Sequence, residues 1–493
     1  MKKNLLILLS LLTLIFSCGK VKEHENTLED KIAKSGIYYE IFVRSFADSN
    51  GDGIGDLNGI KTKLPELKEL GVEGLWLTPI FSSPSYHKYD VTDYYNIDPE
   101  YGTIEDFKEL VKSSHDLGIK VIIDLPVNHT SSEHPWFKDV VSNKDSEYRK
   151  FYRIEKNDNP NIDFKAAPLG GTAWHKLNDD EKYFGIFWGG MPDLNLEEKE
   201  VRKELHKISK FWVDEVHIDG YRIDAAPHAY GKGEYSKEIN VLEANLKWWS
   251  EFRNELIKTK KDIYIVGEVW TAPEIVAKYF TVFDSNFNFE LSENAIFNAL
   301  IRESARELSS KLTRIYGLYE KSNAEFIDAP FLTNHDQSRL SEKLPDLERQ
   351  KVAASILLTL PGNPYIYYGE ELGMKGRKPD ELIREPYIWN DEFQTSWEAI
   401  ELNTETVDYH SQKNNPDSLL NHYKLWINIR KENDEIRYGK FEAVETDNNK
   451  VFSYKMKYKE SEKLLLHNLS NKEQKVNIEG KEYLLNSYES KVI

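Results

Sequence analysis

From Gly36 onward, short runs rich in Val, Ile, Phe and Tyr alternate with longer amphipathic stretches. Runs at 37–45, 72–78, 120–125, 220–224, 263–268, 282–287, 326–332 and 365–368 are predicted to be strands. Segments between them, such as 60–70, 104–117, 198–216 and 241–259, repeat apolar residues three and four apart and are predicted to be helices. Eight such units predict an α/β fold, a parallel (β/α)8 TIM barrel, because eight is the number that closes. One gap breaks the rhythm. The stretch 129–197 is rich in Asn, Asp, Pro, Gly and aromatics. A compact domain rarely carries so long a structureless loop, so a subdomain inserted after the third strand is expected there. The barrel then falls into two parts, 36–128 and 198–435. Short strand-like runs at 451–457, 463–469 and 482–485 predict a C-terminal antiparallel β domain over 436–493.

The N-terminus has a different character. Lys2 and Lys3 precede an apolar run from Leu5 to Phe16, a pattern of export signals rather than of folded elements. The run ends Ile15-Phe16-Ser17-Cys18-Gly19, which resembles a bacterial lipobox, and Cys18 is the only Cys in the chain. Residues 1–17 are read as a lipoprotein signal, Cys18 as the lipidation site and the polar stretch 18–35 as a tether. The expected location is the cell envelope, lipid-anchored on the extracytoplasmic side of a membrane.

Composition narrows the classes. Hydrophobic residues make up 40% of the 493, enough for a large packed core. With 65 Lys+Arg against 83 Asp+Glu the net charge is -18, which repels phosphate backbones and argues against nucleic-acid binding. A single Cys rules out an intrachain disulfide framework. The 11 Trp and 28 Tyr are many for this length; most are expected in the core, but flat rings also suit sugar faces.

A β/α barrel keeps its chemistry at the C-terminal ends of its strands. The third strand ends Asp124-Leu125-Pro126-Val127-Asn128-His129, and the fourth Arg222-Ile223-Asp224, followed by Ala225-Ala226-Pro227-His228. The fifth ends Glu268-Val269-Trp270, and the seventh Asn334-His335-Asp336. Carboxylates, His and one Arg on a common face, without a Ser or Cys nucleophile motif, point to acid/base chemistry on a polar neutral substrate. Arg222 and Asp224 are two apart on a strand and share a side, so the guanidinium favours the carboxylate form that a nucleophile requires. Glu268 beside Val269 and Trp270 is placed for a raised pKa and a general-acid role. A non-catalytic glycan-binding barrel is the alternative from another class, and loss of one of these carboxylates would mark it.

These strand ends resemble the signature regions of the α-amylase superfamily, glycoside hydrolase family 13, with the resemblance running over essentially all of 36–493. It implies Asp224 as nucleophile, Glu268 as general acid/base and Asp336 as transition-state stabiliser. It implies Tyr89, Asp90, His129, Arg222, His228, His335 and Arg384 as substrate contacts. Arg384 lies in Arg384-Glu385-Pro386-Tyr387-Ile388-Trp389, similar to an element of the oligosaccharide-acting branch that has Met where Tyr387 stands. Met191-Pro192-Asp193-Leu194-Asn195 resembles a signature of the subgroup between the oligo-1,6-glucosidase and neopullulanase branches. The implied activity is an α-amylase acting on α-1,4-glucans or maltooligosaccharides. The alternatives on the same scaffold are an α-glucosidase, a neopullulanase-like hydrolase or a glucanotransferase.

One loop is expected to hold a metal. In Asp48-Ser49-Asn50-Gly51-Asp52-Gly53-Ile54-Gly55-Asp56, side-chain oxygens from Asp48, Asn50, Asp52 and Asp56 and the Ile54 carbonyl follow the ligand order of an EF-hand calcium loop. Gly59 stands where that loop has its Glu, so the site is a simpler, structural one. Family resemblance implies Ca²⁺, or Mg²⁺ at the same loop. It also marks Asn128 as one ligand of a second calcium site, whose other members the sequence does not place.

Overall fold

The computed structural model describes residues 24–231 and 239–493. The signal segment and Cys18 lie outside the described residues. Eight parallel strands form one sheet: β1 Tyr38–Ile41, β2 Gly74–Leu77, β3 Lys120–Leu125, β4 Gly220–Ile223, β5 Tyr264–Gly267, β6 Ser285–Phe287, β7 Ile327–Ala329 and β8 Tyr365–Tyr367. The order runs β7-β6-β5-β4-β3-β2-β1-β8. A parallel bridge from Phe331 to Tyr365 joins the two ends, so the (β/α)8 barrel expected from the alternation is the observed fold. Nearly every strand residue is buried, as strands covered on both faces must be.

Side chains fill the barrel interior. Tyr38, Trp76, Ile122, Tyr264, Val266, Phe287, Phe331 and Tyr365 form a buried cluster in which the Tyr38 ring stacks on Tyr264 at 5.3 Å and on Tyr365 at 5.0 Å. Gly74 makes room for Tyr38, because a Cβ there would stand 2.4 Å from its ring. The outer helices follow the predicted periodicity. Thr103 caps the helix Ile104–Asp116 in a reciprocal box with Asp106, and Phe107, Leu110, Val111 and Ser114 form its buried face.

Three differences from the sequence reading have physical causes. The first strand ends at Ile41 rather than at 45, and the chain then makes one helical turn, Val43–Phe46. That turn brings Ser45 and Phe46 under the segment 387–397, where Ser45 O accepts from Tyr387 N and Phe46 O from Trp389 Nε1. A hairpin, Phe81–Ser82 with Asp93–Ile97, follows β2 and carries Tyr89 and Asp90 in its loop. The third difference corrects the tether. Residues 24–35 are folded, with a capped helix Leu28–Lys34 whose Lys34 is buried against Asp284 at 2.8 Å. A polar composition reads as a linker unless its partners are known, and here they lie far along the chain.

Within 129–197, the strands Ile154–Lys156, Trp174–Lys176 and Glu181–Phe184 form a small antiparallel sheet. A bridge from His129 to Asp193 and the Leu194 N–H donating to Asn128 O fasten it to the chain leaving β3. At the C-terminus, Lys440–Ala443, Val451–Tyr458, Ser461–Asn468 and Ser490–Val492 make a four-stranded antiparallel sheet beside the hairpin Gln474–Ile478 and Lys481–Leu485. Tyr454 of that sheet meets Thr359 of the barrel, hydroxyl to hydroxyl, at 2.6 Å. Among the described residues no helix is long and apolar enough to cross a membrane.

Candidate active site

The alternation of side chains along a strand decides which residues reach the mouth of the barrel. Ile122 fills the interior, so Asp124, two residues on, stands above it on the same face. The same step leads from Tyr38 to Glu40, from Val266 to Glu268 and from Arg222 to Asp224. Asp124, Asp224 and Glu268 meet at Arg222, which is buried, while Glu40 meets His335. Its Nη1 donates to Asp224 Oδ1 at 2.6 Å and to Asp124 Oδ1 at 2.9 Å, and its Nη2 lies 3.0 Å from Glu268 Oε2. Glu268 Oε2 also accepts from Ala225 N at 2.8 Å. One guanidinium thus fixes the carboxyls of Asp224 and Glu268 relative to each other.

Their surroundings set the charges. Burial pushes the Glu268 carboxyl up to about 7 against the pull of Arg222, with Asp224 and Asp336 adding to the rise. Burial likewise raises Asp124 to about 6, again opposed by Arg222. Asp336 goes the other way. Burial opposes its ionisation, but His335, Arg384 and Arg222 outweigh burial and hold it below the usual range. His335 would lose its proton through burial, yet Asp336 and Glu40 outweigh that and raise it. The His335 ring lies between the two acids, Nδ1 2.5 Å from Glu40 Oε1 and Nε2 3.1 Å from Asp336 Oδ2. The Tyr89 ring stacks on His335, and its hydroxyl lies 2.7 Å from Nε2 and donates to Asp124 at 2.9 Å. A continuous polar chain therefore runs from Asp336 through His335, Tyr89 and Asp124 to Arg222 and the facing carboxyls.

Arg384 belongs to this group. Its Nη2 lies 3.1 Å from Asp336 Oδ1, its Nε donates to His335 O, and its Nη1 donates to the Tyr86 hydroxyl. Tyr387, three residues on, donates its hydroxyl to Glu371 Oε1 at 2.8 Å, the same oxygen that accepts from Tyr39 at 2.7 Å. His129 stands at the edge of the group, Nε2 3.1 Å from Tyr89 O and its ring edge-on to Phe187. Burial lowers its pKa and that of His228, so both favour the neutral ring. His228 closes a single turn after β4, and its ring lies edge-on to Phe187 at 6.0 Å. Asp90 stands apart from the Arg222 group, accepting from the Ser83 hydroxyl at 2.7 Å and from Ser85. The sequence reading gives Asp124 only as part of a strand end and Tyr387 only as a departure from Met, assigns neither a role, and does not name Glu40 or Glu371. The period-two register would have found Asp124 and Glu40; Glu371 and Tyr387 meet only through folding.

The acidic loop after β1 is wound by its own side chains. Asp48 accepts from the backbone N–H of Asn50, Gly51 and Gly53, Asn50 from that of Asp52, and Asp52 from that of Ile54. Asp56 accepts from Ser49 and Gly59. Among the described residues no three of His, Cys, Asp and Glu converge as a metal cluster. The loop's donor set is mixed, three carboxylates with an amide oxygen and the Ile54 carbonyl, and such hard oxygens suit Ca²⁺ or Mg²⁺. The loop also touches the site's support, because Asp48 N donates to Phe393 O and Ser396 N to Gly53 O. Next to Ser396, Trp397 stacks on Tyr86, the partner of Arg384.

The profile of the α-amylase catalytic domain matches residues 40–439. The chain belongs to the α-amylase family. It is 42% identical over 456 residues to alpha-amylase 3 of Dictyoglomus thermophilum, covering 89% of this chain and 85% of that protein. It is 36% identical over 450 residues to the 4-alpha-glucanotransferase of Thermotoga maritima, covering 89% of this chain and 96% of that protein. The crystal structure of an alpha-amylase from H. orenii superposes with a TM-score of 0.85 at 43% identity, over 93% of this chain and 99% of that one. The α-amylase family match ends where the C-terminal sheet begins, so the Arg222 group lies wholly inside it. The chain is an enzyme of glycoside hydrolase family 13, whose relatives named here include hydrolases and transferases.

Proposed function

We propose that this enzyme is a retaining α-1,4-glucan hydrolase of the α-amylase type, with Asp224 as nucleophile and Glu268 as acid/base. The observation that carries the reading is the Arg222 fork, which faces Asp224 and Glu268 together while burial keeps the Glu268 proton near neutrality. Asp224 attacks the anomeric carbon of an α-linked glucosyl unit as Glu268 protonates the leaving oxygen. A covalent glycosyl-enzyme forms, and Glu268, now ionised, takes a proton from the water that releases the sugar. Two inversions give net retention, which needs carboxyl groups about 5–5.5 Å apart rather than a gap wide enough for water. Asp336, held ionised by His335 and Arg384, receives the sugar hydroxyls that tighten as positive charge develops on the ring. Similarity to alpha-amylase 3 supports hydrolysis of α-1,4-glucans.

Transfer to a second sugar is the other reading, and one feature favours it. Trp270, two residues past Glu268, is 47% exposed and stacks on Phe289 at 4.5 Å, so its free face is available to an acceptor sugar. The loop of Asp48, Asn50, Asp52, Ile54 and Asp56 is proposed to hold Ca²⁺ as a clamp on the segment behind Arg384, and Cys18 to carry the lipid of an extracytoplasmic anchor. Freshly released product from maltooligosaccharides, followed by NMR, tests the mechanism. Initial α-anomer is expected, and initial β-anomer overturns it. Products longer than the substrate would move the assignment from hydrolase to transferase.

A further inference from the structure

The segment 24–36 is held at one end of the barrel. His24 N donates to Thr281 O at 2.8 Å, and Asn26 donates to Asp284 O from Nδ2 and to Asn323 Oδ1 from its backbone. Buried Asp284 gathers two cations, Lys34 at 2.8 Å and Arg253 at 2.9 Å, and the His24 ring lies 3.1 Å away. Asn363 donates to Lys34 O and accepts from Gly36 N, and Lys120 donates to Ser35 O. Asp284 immediately precedes β6, Asn323 precedes β7, Asn363 precedes β8, and Lys120 opens β3. Every partner stands at the N-terminal ends of the strands. Asp224, Glu268 and Asp336 stand at the opposite ends.

We propose that the barrel sits on a membrane with the N-terminal ends of its strands toward the lipid and its catalytic mouth turned away, an orientation that rests on the reading of Cys18 as the lipid anchor. Five residues, 19–23, separate Cys18 from His24, so the two are six residue steps apart. At 3.3–3.6 Å per residue that chain spans at most about 20 Å, so the anchored lipid stays close to the docked face. Lys258 and Lys261, in the turn entering β5, line a groove with His24, Asp30 and Lys34 on the same face. The consequence is access. A polymeric glucan reaches the mouth from solution without passing between protein and bilayer.

Energy transfer to a headgroup-labelled acceptor lipid tests the orientation. The lipidated full chain is bound to liposomes containing that lipid, with a donor dye on a cysteine at Lys261→Cys or at Leu169→Cys. Lys261 lies on the docked face, and Leu169 is exposed in the subdomain beside the mouth. Transfer is expected to be several-fold more efficient from position 261 than from 169. Equal transfer, or stronger transfer from 169, overturns the orientation. Replacing His24 and Asn26 together by Ala should bring the ratio toward one while the protein remains bound, and an unchanged ratio would overturn the role of the docked segment. If the full chain fails to bind liposomes at all, the anchor reading fails first and the orientation falls with it.

Discussion

Arg222 Nη2 stands 3.0 Å from Glu268 Oε2, and yet the Glu268 carboxyl titrates near 7. Burial outweighs the guanidinium because the same cation is shared with Asp224 and Asp124. The first chemical step needs the protonated acid. The expected pH profile of kcat/KM therefore has a descending limb centred near 7, as Glu268 loses its proton in the free enzyme. Glu268→Gln should abolish that limb and spare substrates with good leaving groups in the first step. A profile unchanged by the substitution would remove Glu268 from the acid role.

Asp224→Asn keeps the side-chain shape and removes the nucleophile. The barrel interior lies below this position, so the far-ultraviolet circular dichroism and thermal midpoint should stay close to those of the parent. The kcat should fall by several orders of magnitude with substrate binding largely retained, as for an interaction made only on the way through the transition state. A loss of less than tenfold would argue for a different nucleophile.

The parts of this site that were legible share one property: local register. Asp224, Glu268 and Asp336 follow strands whose apolar pattern is plain, and their position at strand ends needs no tertiary information. Asp124 and Glu40 obey the same alternation, two residues above Ile122 and Tyr38, but a single buried acid in a strand reads as structural until its partner is seen. Glu371 was out of reach, since it receives Tyr39 from the far end of the chain and Tyr387 from the next loop. The strands expected at 282–287 and 326–332 were too long, because buried Val282 and Phe283 precede β6 and Phe331 past β7 joins the interior cluster with only an isolated bridge to Tyr365. The docked segment 24–35 is mostly polar, and the partners that hold it, Asp284, Asn323 and Asn363, lie far along the chain.

Tyr387 stands where the similar oligosaccharide-acting branch carries Met, and its hydroxyl has a task here. It ties the segment of Arg384 to Glu371, which Tyr39 holds from β1. Loosening that tie should let Arg384 drift from Asp336. A hydrogen bond of this kind contributes about 1 kcal/mol. Tyr387→Phe should accordingly raise KM for maltooligosaccharides roughly five-fold, with little change in the pH profile. Arg384→Ala should have the larger effect, because it removes the contact itself. Equal KM values for Tyr387→Phe and the parent would separate the tie from substrate binding.

Calcium at the Asp48–Asp56 loop would bind only the folded chain and so stabilise it by mass action, about 2.7 kcal/mol at a hundredfold excess over Kd. Chelation should lower the thermal midpoint, and Asp52→Ala should remove most of the difference between chelator and added Ca²⁺. The loop backs onto Phe393 and Ser396, so chelation should also raise KM before it unfolds the barrel. Identical melting with chelator and with Ca²⁺ would leave the loop as a turn wound by its own side chains.

Glu370 gives the last prediction, because its environment makes stability depend on pH apart from catalysis. Buried behind β8, it accepts from the Tyr423 hydroxyl at 2.8 Å and the Thr333 hydroxyl at 3.0 Å, with the like charge of Glu371 nearby. Burial pushes its carboxyl up to about 8 from an ordinary value of 4.5, and the hydroxyl donors only partly oppose this. Below that ordinary value both folded and unfolded chains hold the proton, and the neutral group costs nothing. Between 4.5 and about 8 the unfolded chain has released a proton that the folded chain keeps, so stability falls as pH rises through this window. Asp328, raised by burial to about 7, acts in the same direction over a narrower range. Glu370→Gln removes the proton while keeping a side chain of the same size. The substituted chain should gain thermal stability relative to the parent at pH 8, lose that advantage near pH 5, and keep the residual slope due to Asp328. Melting curves of both chains across this range decide it, and parallel curves would mean that Glu370 is ionised in the folded state.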